Sequence, residues 1–231
     1  VKKGMKIGDV DPRKDESLVY LISDKSHKIG RGCVETIRTL LQRQFGIVVL
    51  AAGLSRRYGG NKLLEERISE EPLYEVTLDK LSRFSDCVCV VVTRFDEIEA
   101  AAKQRGMVVV RNGVPELGIS HSLHLGLLAC LERNPYLRGV LFMVCDQPYL
   151  RAETMERMLE EGLAHPQAVV CASHEGRRGN PVLWDTCYMS DLLSLTGDAG
   201  GRQIIKKYQE HVRLVECGEK ELQDVDIRTE S

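Results

Sequence analysis

No apolar run in this chain approaches the length of a bilayer span, and no signal-like apolar core stands near Val1. Nor does either charge dominate: 32 basic side chains face 34 acidic ones, for a net charge of −2. That balance excludes a non-specific electrostatic grip on nucleic acid or an anionic membrane. Eight cysteines are present, yet none is spaced C-x-x-C, and Cys87, Cys89, Cys145 and Cys171 sit in apolar, strand-like runs. They read as small buried hydrophobes in a reducing cytosol, not as a disulfide or zinc framework. Two common phosphate loops are also missing. A P-loop needs Gly-Lys-Ser/Thr, whereas Asn61 separates Gly60 from Lys62 and Leu63 follows; no G-x-G-x-x-G run follows a strand. Internal repeats and low-complexity tracts are absent.

What is present suits one medium domain plus an appendage. The 231 residues are 43% apolar and 29% charged, ordinary for a soluble globular chain. A first residue of Val rather than Met is what a segment of a longer chain would show. From residue 46 onward, short apolar runs alternate with amphipathic stretches. Strands are expected at 47–51, 87–93, 107–110, 139–145 and 168–172. Helices are expected at 73–84, 96–105, 122–133, 154–164 and 203–208. Strands apolar on both faces, alternating with helices, predict an α/β fold: a doubly wound, mostly parallel sheet with helices on both faces. Ligands in such sheets sit beyond the carboxyl ends of the strands, near the switch point.

The sharpest motif stands at such an end. After Ile47-Val48-Val49 the chain reads Leu50-Ala51-Ala52-Gly53-Leu54-Ser55-Arg56-Arg57-Tyr58-Gly59-Gly60-Asn61-Lys62. Small residues admit a ligand to the backbone, free N–H groups face phosphate oxygens, and fixed cations offset their charge. An ordinary strand-to-helix turn with a solvated basic rim is the plainer alternative. Further on, Gly118-Ile119-Ser120-His121-Ser122-Leu123 opens a helix, where hydroxyls can cap the helix or reach a base. His121 and His124 share a helical face but lack a third partner at zinc spacing. Asp146, in Val144-Cys145-Asp146-Gln147-Pro148, ends an apolar strand, where a carboxylate is placed either to hold Mg²⁺ or to cap a turn.

The spacing L-A-A-G-x-S-x-R-x-G-x-x-K resembles the signature loop of nucleotidyltransferases that handle molybdenum cofactor, the MobA-like NTP transferase family. Its Ala-Ala-Gly form is similar to the cytidylyltransferase branch. At least five motifs in family order, over nearly all of residues 46–230, carry the resemblance. It implies a Rossmann-like fold of the nucleotide-diphospho-sugar transferase type. It implies nucleotide contacts from Ala51, Ala52, Gly53, Ser55, Gly118, Ser120 and Ser122, and catalytic roles for Lys62, Arg57 and Asp146. Arg178-Gly179-Asn180-Pro181 and Gly197-Asp198-Ala199-Gly200-Gly201-Arg202 match acceptor loops, with Gly179, Asn180, Pro181, Gly197, Asp198 and Arg202 as the acceptor-binding residues. Asp226, in a terminal Asp-x-Asp that carries Ile227 where Thr is expected, would join Asp146 on the metal. Glu70-Glu71-Pro72 stands where a glycine-basic-proline turn is expected.

Residues 1–45 form a separate expectation. Lys6-Ile7-Gly8-Asp9-Val10-Asp11-Pro12-Arg13 and Ile22-Ser23-Asp24-Lys25 resemble the end of an accessory protein of selenium-dependent molybdenum hydroxylases. The expected division is thus a fused tail, 1–45, and a transferase domain, 46–231; a plain linker or docking arm is the alternative. The implied reaction is cytidylyl transfer from CTP to the phosphate of molybdenum-bearing molybdopterin, releasing pyrophosphate, with Mg²⁺ as cofactor. It would take place in the cytoplasm, with a molybdenum hydroxylase as client and no nucleic-acid or membrane partner. Rival readings are guanylyl or other nucleotidyl transfer to a different phosphorylated acceptor, and a CTP-binding chaperone without turnover.

Overall fold

The computed structural model describes residues 26, 28–33, 36, 40, 43–54, 58 and 60–225. The chain divides into two units, Val1–Arg38 and Thr39–Ser231. In the first, residues 26, 28–33 and 36 are helical and exposed, and the Thr36 hydroxyl donates to the Gly32 carbonyl at 2.9 Å. The phrases at 6–13 and 22–25 lie outside the described residues.

The second unit is a layered α/β body. Its strands are β1 (Phe45–Ala51), a two-residue ribbon of β2 (Arg67–Ile68) and β3 (Glu71–Pro72), β4 (Val88–Thr93), β5 (Val108–Arg111), β6 (Gly139–Val144), β7 (Val169–His174), β8 (Arg177–Asp185) and β9 (Val212–Glu216). The main sheet runs β5-β4-β1-β6-β8-β7-β9. Its pairs are parallel except those of β8, which runs antiparallel to both β6 and β7. A mostly parallel sheet with helices is therefore found. β8 is absent from the sequence expectation, because Arg177-Arg178-Gly179-Asn180-Pro181 reads as a loop. A proline is tolerated there because the ladder is interrupted by a bulge.

Both faces are covered, and the alternation of strand side chains sorts them. Ile47 and Val49 point into one apolar cluster with α1 (Lys62–Glu65), α2 (Leu73–Leu81), α3 (Asp96–Gln104) and α5 (Ala152–Ala164). Val48 points into the other, with α4 (Ile119–Arg133), α6 (Met189–Leu193) and α7 (Arg202–Lys207). The helix expected over 73–84 gives way to a 3₁₀ turn at Ser82–Phe84. The helix expected from 122 begins at Ile119, straight after Gly118. Cys87, Cys89, Cys145 and Cys171 are buried, and burial pushes the thiol pKa of Cys145 and Cys89 up to about 12. No helix among the described residues is long and apolar enough to cross a membrane.

Strand β1 leads to β4 on one side, while β5 is followed by β6 on the other side of β1. The direction of winding therefore reverses between β1 and β6, and the carboxyl ends of those two strands flank the crevice where such sheets bind ligands.

Candidate active site

Strands β1 and β6 are in parallel register, with Leu50 opposite Val144, and the Cys145 N–H extends the ladder to the Leu50 carbonyl at 3.2 Å. The two following loops thus leave the sheet side by side. One leads to Lys62, the first residue of α1; the other carries Asp146. Lys62 Nζ donates to Asp146 Oδ2, and also to the Val225 carbonyl at 3.0 Å. Both side chains are mostly buried, at 14% and 19% exposed. The second carboxylate oxygen, Asp146 Oδ1, is buried without a hydrogen-bond partner among the described residues. A buried, unsatisfied anionic oxygen is costly and marks an acceptor kept for something else.

The C-terminal segment is laced onto this turn. The Val225 N–H donates to the Asp146 carbonyl at 3.0 Å, and Gln147 Nε2 donates to Asp224 Oδ1 at 2.8 Å. Glu221, 3% exposed, anchors the segment. Its carboxylate accepts from the Arg151 N–H at 3.0 Å, Arg151 Nε at 2.9 Å, Arg151 Nη2 at 2.8 Å, the Thr154 hydroxyl at 2.7 Å and the Gly218 N–H at 2.9 Å. Burial by itself would raise its pKa, but these donors outweigh it and hold the carboxyl below its usual range. Asp226, the second expected metal carboxylate, lies outside the described residues, as do Ser55, Arg56 and Arg57.

On the opposite wall, the hydroxyls at the start of α4 do not cap it: the N-cap is Gly118 and no side chain supplies a cap bond. Ser122 instead accepts from Asn112 Nδ2 at 2.9 Å, and Asn112 Oδ1 accepts from the Val114 N–H at 3.0 Å. The Asn112 N–H in turn bonds the Thr93 carbonyl at 2.9 Å, and the Thr93 hydroxyl bonds the Ala51 carbonyl at 3.2 Å. This buried chain ties the end of β1 to the start of α4. The sequence reading missed Asn112, although Asn at the end of an apolar strand was a visible signal. Glu221 carried no signal of this role, since all but one of its donors come from residues 151 and 154, far away in sequence.

The acceptor-type loops arrive from two directions. Between the pairs Cys171–Val182 and Ala172–Gly179, Asn180 and Pro181 form the bulge of β8. Gly197 accepts at its carbonyl from the Ser120 N–H at 3.1 Å, so the second loop touches the first turn of α4. Gly118 has φ 86°, and a Cβ there would stand 2.3 Å from the Gly197 backbone. Only glycine meets both conditions. A Cβ on Gly201 would stand 2.4 Å from the Trp184 ring, so this loop lies directly on a buried indole.

Together these walls enclose a cavity of about 420 Å³ whose lining includes Ala52, Gly53, Lys62, Gly118, Ser122, Asp146 and Asp198. Tyr58 and Glu116 also line it, two residues the sequence reading did not single out as site residues. Where a Cβ on Gly53 would stand there is open space, so the loop keeps this part of the cavity clear. Ala51, Ser120, Gly179, Asn180, Pro181, Gly197 and Arg202 lie outside that lining. Ala51 and Ser120 are buried behind it, and His124 bonds the Leu192 carbonyl at 3.0 Å. The described lining sets one ammonium, Lys62, among the carboxylates of Glu116, Asp146 and Asp198 and small-residue backbone around one volume, so a polyanionic ligand would need a metal cation beside it.

Comparison with known proteins is consistent with that chemistry. Residues 47–212 match the family model of the MobA-like NTP transferase domain. A curated relative, the molybdenum cofactor guanylyltransferase of Shewanella sediminis (strain HAW-EB3), is 27% identical, covering 73% of this chain and 82% of the relative. Among solved structures, Rv0371c from Mycobacterium tuberculosis H37Rv superposes with a TM-score of 0.67 at 24% identity, over 80% of this chain and 93% of that one. The same protein in complex with manganese gives 0.61 at 23% identity, over 75% and 88%. With the model spanning most of the folded unit, the chain belongs to the MobA-like NTP transferase family of nucleotidyltransferases.

Proposed function

We propose that the chain transfers a cytidylyl group from CTP to the phosphate of molybdenum-bearing molybdopterin and releases pyrophosphate. The observation that carries this reading is the convergence of Lys62, Asp146, Ala52, Ser122 and Asp198 on one cavity at the switch point. An acceptor phosphate oxygen attacks the α-phosphorus, a new P–O bond forms, and the bond to the bridging oxygen breaks. Its electron pair leaves on pyrophosphate. A phosphate monoester is already anionic near neutral pH, so the protein's task is positioning and charge neutralisation. Lys62 would meet the phosphates, together with Arg57 and backbone N–H groups of the Gly53 loop. Asp146, through its unpartnered Oδ1, and Asp226 would hold Mg²⁺, a hard cation suited to carboxylate oxygens. When bound, that ion neutralises charge on the phosphoryl oxygens. The base would lie against Ala52 and Ser122, and Gly179–Pro181 with Gly197–Arg202 would face the acceptor.

Cytosine is preferred over guanine on the Ala51-Ala52-Gly53 form of the loop, which resembles the cytidylyl branch of the family; Ala52, 3% exposed, sets its methyl group on the lining. Guanylyl transfer is the second reading, favoured by the name of the Shewanella relative. A cytoplasmic location, a molybdenum hydroxylase client and a fused accessory tail over 1–45 accompany the first reading and rest on the sequence alone.

The test is a thermal-shift series with Mg²⁺ and CTP, GTP, ATP or UTP, followed by pyrophosphate release with molybdopterin. At about 100 times its dissociation constant the preferred nucleotide adds roughly 2.7 kcal/mol, or about 5–10 °C. CTP alone should give this shift, and CTP with acceptor should release pyrophosphate. A shift with GTP alone would replace the cytidylyl reading by the guanylyl one. CTP binding without pyrophosphate release would instead mark a cofactor chaperone.

A further inference from the structure

The Asp146 turn is held by groups outside it at every carbonyl from Cys145 to Pro148. The Thr77 hydroxyl donates to the Cys145 carbonyl at 3.1 Å, and the Val225 N–H donates to that of Asp146 at 3.0 Å. Lys80 Nζ donates to the Gln147 carbonyl at 3.4 Å and, more closely, to that of Pro148. Thr77 and Lys80 stand three apart on α2 and so share the face beneath the turn. With its backbone oxygens thus occupied, the turn leaves the Asp146 Oδ1 acceptor open.

We propose that Lys80 is a positioning residue for this reaction: by binding the carbonyls of Gln147 and Pro148 it fixes the turn that presents Asp146 to the metal. Lys80 lies outside the cavity lining and acts through the backbone. Burial lowers its pKa to about 8, with the Cys145 thiol and the Glu221 carboxylate facing it as the partly opposing influences. Desolvating an ammonium is unfavourable, and a well-packed apolar residue of similar length is often as good or better for stability alone. A lysine kept only to stabilise the fold would thus be dispensable here. One that shapes a metal turn would not be.

The proposal rests on the reading of Asp146 as a metal ligand, so the experiment carries a control for it. Free Mn²⁺ binding would be measured by electron paramagnetic resonance on the full chain as wild type, Asp146→Asn, Lys80→Met and Lys80→Gln. Melting temperature and CTP-dependent pyrophosphate release would be recorded beside it. Asp146→Asn should lose Mn²⁺ binding. Lys80→Met should weaken it about tenfold or more, in the range typical of outer-shell partners. It should lower kcat by a similar factor, keep KM for CTP within about twofold, and melt no lower than wild type. Lys80→Gln, which retains an N–H donor, should recover most of the loss. Wild-type Mn²⁺ affinity in Lys80→Met overturns the proposal while leaving the metal site standing. So does a loss that merely tracks a fall in melting temperature and that Lys80→Gln does not relieve. Unchanged binding in Asp146→Asn, or none in wild type, removes the metal reading and this proposal with it.

Discussion

Asp146 carries two oxygens in different circumstances: Oδ2 is engaged by Lys62, while Oδ1 is buried and unpartnered. Replacing it by Asn keeps the shape and removes the charge. Pyrophosphate release by Asp146→Asn should fall by a few hundredfold, about 3–4 kcal/mol of transition-state stabilisation. Full turnover would remove this carboxylate from the reaction. Lys62→Ala should raise KM for CTP and weaken pyrophosphate inhibition, since its ammonium is the cation placed on the cavity among the described residues. Unchanged nucleotide kinetics would refute that role. Ala52 is the residue to test for base choice. Ala52→Gly should raise kcat/KM for GTP relative to CTP by roughly 10-fold, the scale of one methyl group in a pocket.

At the scale of elements, the site is assembled by segments that do not touch in sequence. The segment after β9 reaches the Asp146 turn because Glu221 fastens it to the start of α5. Glu221→Gln cannot accept from all those donors with full charge and should cost about 1–3 kcal/mol. The sign of the pH effect follows from its depressed pKa. The carboxylate's contribution is present above about pH 4.5, the ordinary value for Glu, and is lost as pH falls through the folded value. The difference in melting temperature between wild type and Glu221→Gln should therefore shrink on acidification. A constant difference from pH 7 to pH 3 would refute it. The contact between Gly118 and Gly197 makes a second claim. Gly118→Ala would force the loop at 197–198 away, so KM for the acceptor should rise along with KM for the nucleotide.

At the scale of the whole molecule, the parallel sheet creates a switch point, and burial there sets the electrostatics. Lys80 ties this to pH. In the unfolded chain a lysine keeps its proton to about 10.5, but in the fold it releases it near 8. Between those values unfolding takes up a proton, so stability attributable to Lys80 rises with pH. Wild type should therefore gain melting temperature relative to Lys80→Met from about pH 8 to pH 10. A flat difference would place the ammonium in water.

Sequence by itself determined what depends on local order. Valine-rich runs such as Val90-Val91-Val92 and the periodicity of Leu73, Leu78 and Leu81 specify buried strands and an amphipathic helix wherever they are placed. The glycine-rich loop after β1 and the Asp146 turn were legible because each is one contiguous run at a strand end. Only the tertiary structure decided how distant runs meet. β8, with Pro181 and two arginines, becomes a strand because β6 and β7 supply partners on both sides. Asn112 orients Ser122, Glu221 gathers donors from residues 151, 154 and 218, and Lys80 reaches under a turn nearly seventy residues away. A polar side chain's role depends on which groups surround it once water is excluded, and spacing along the chain does not encode those neighbours.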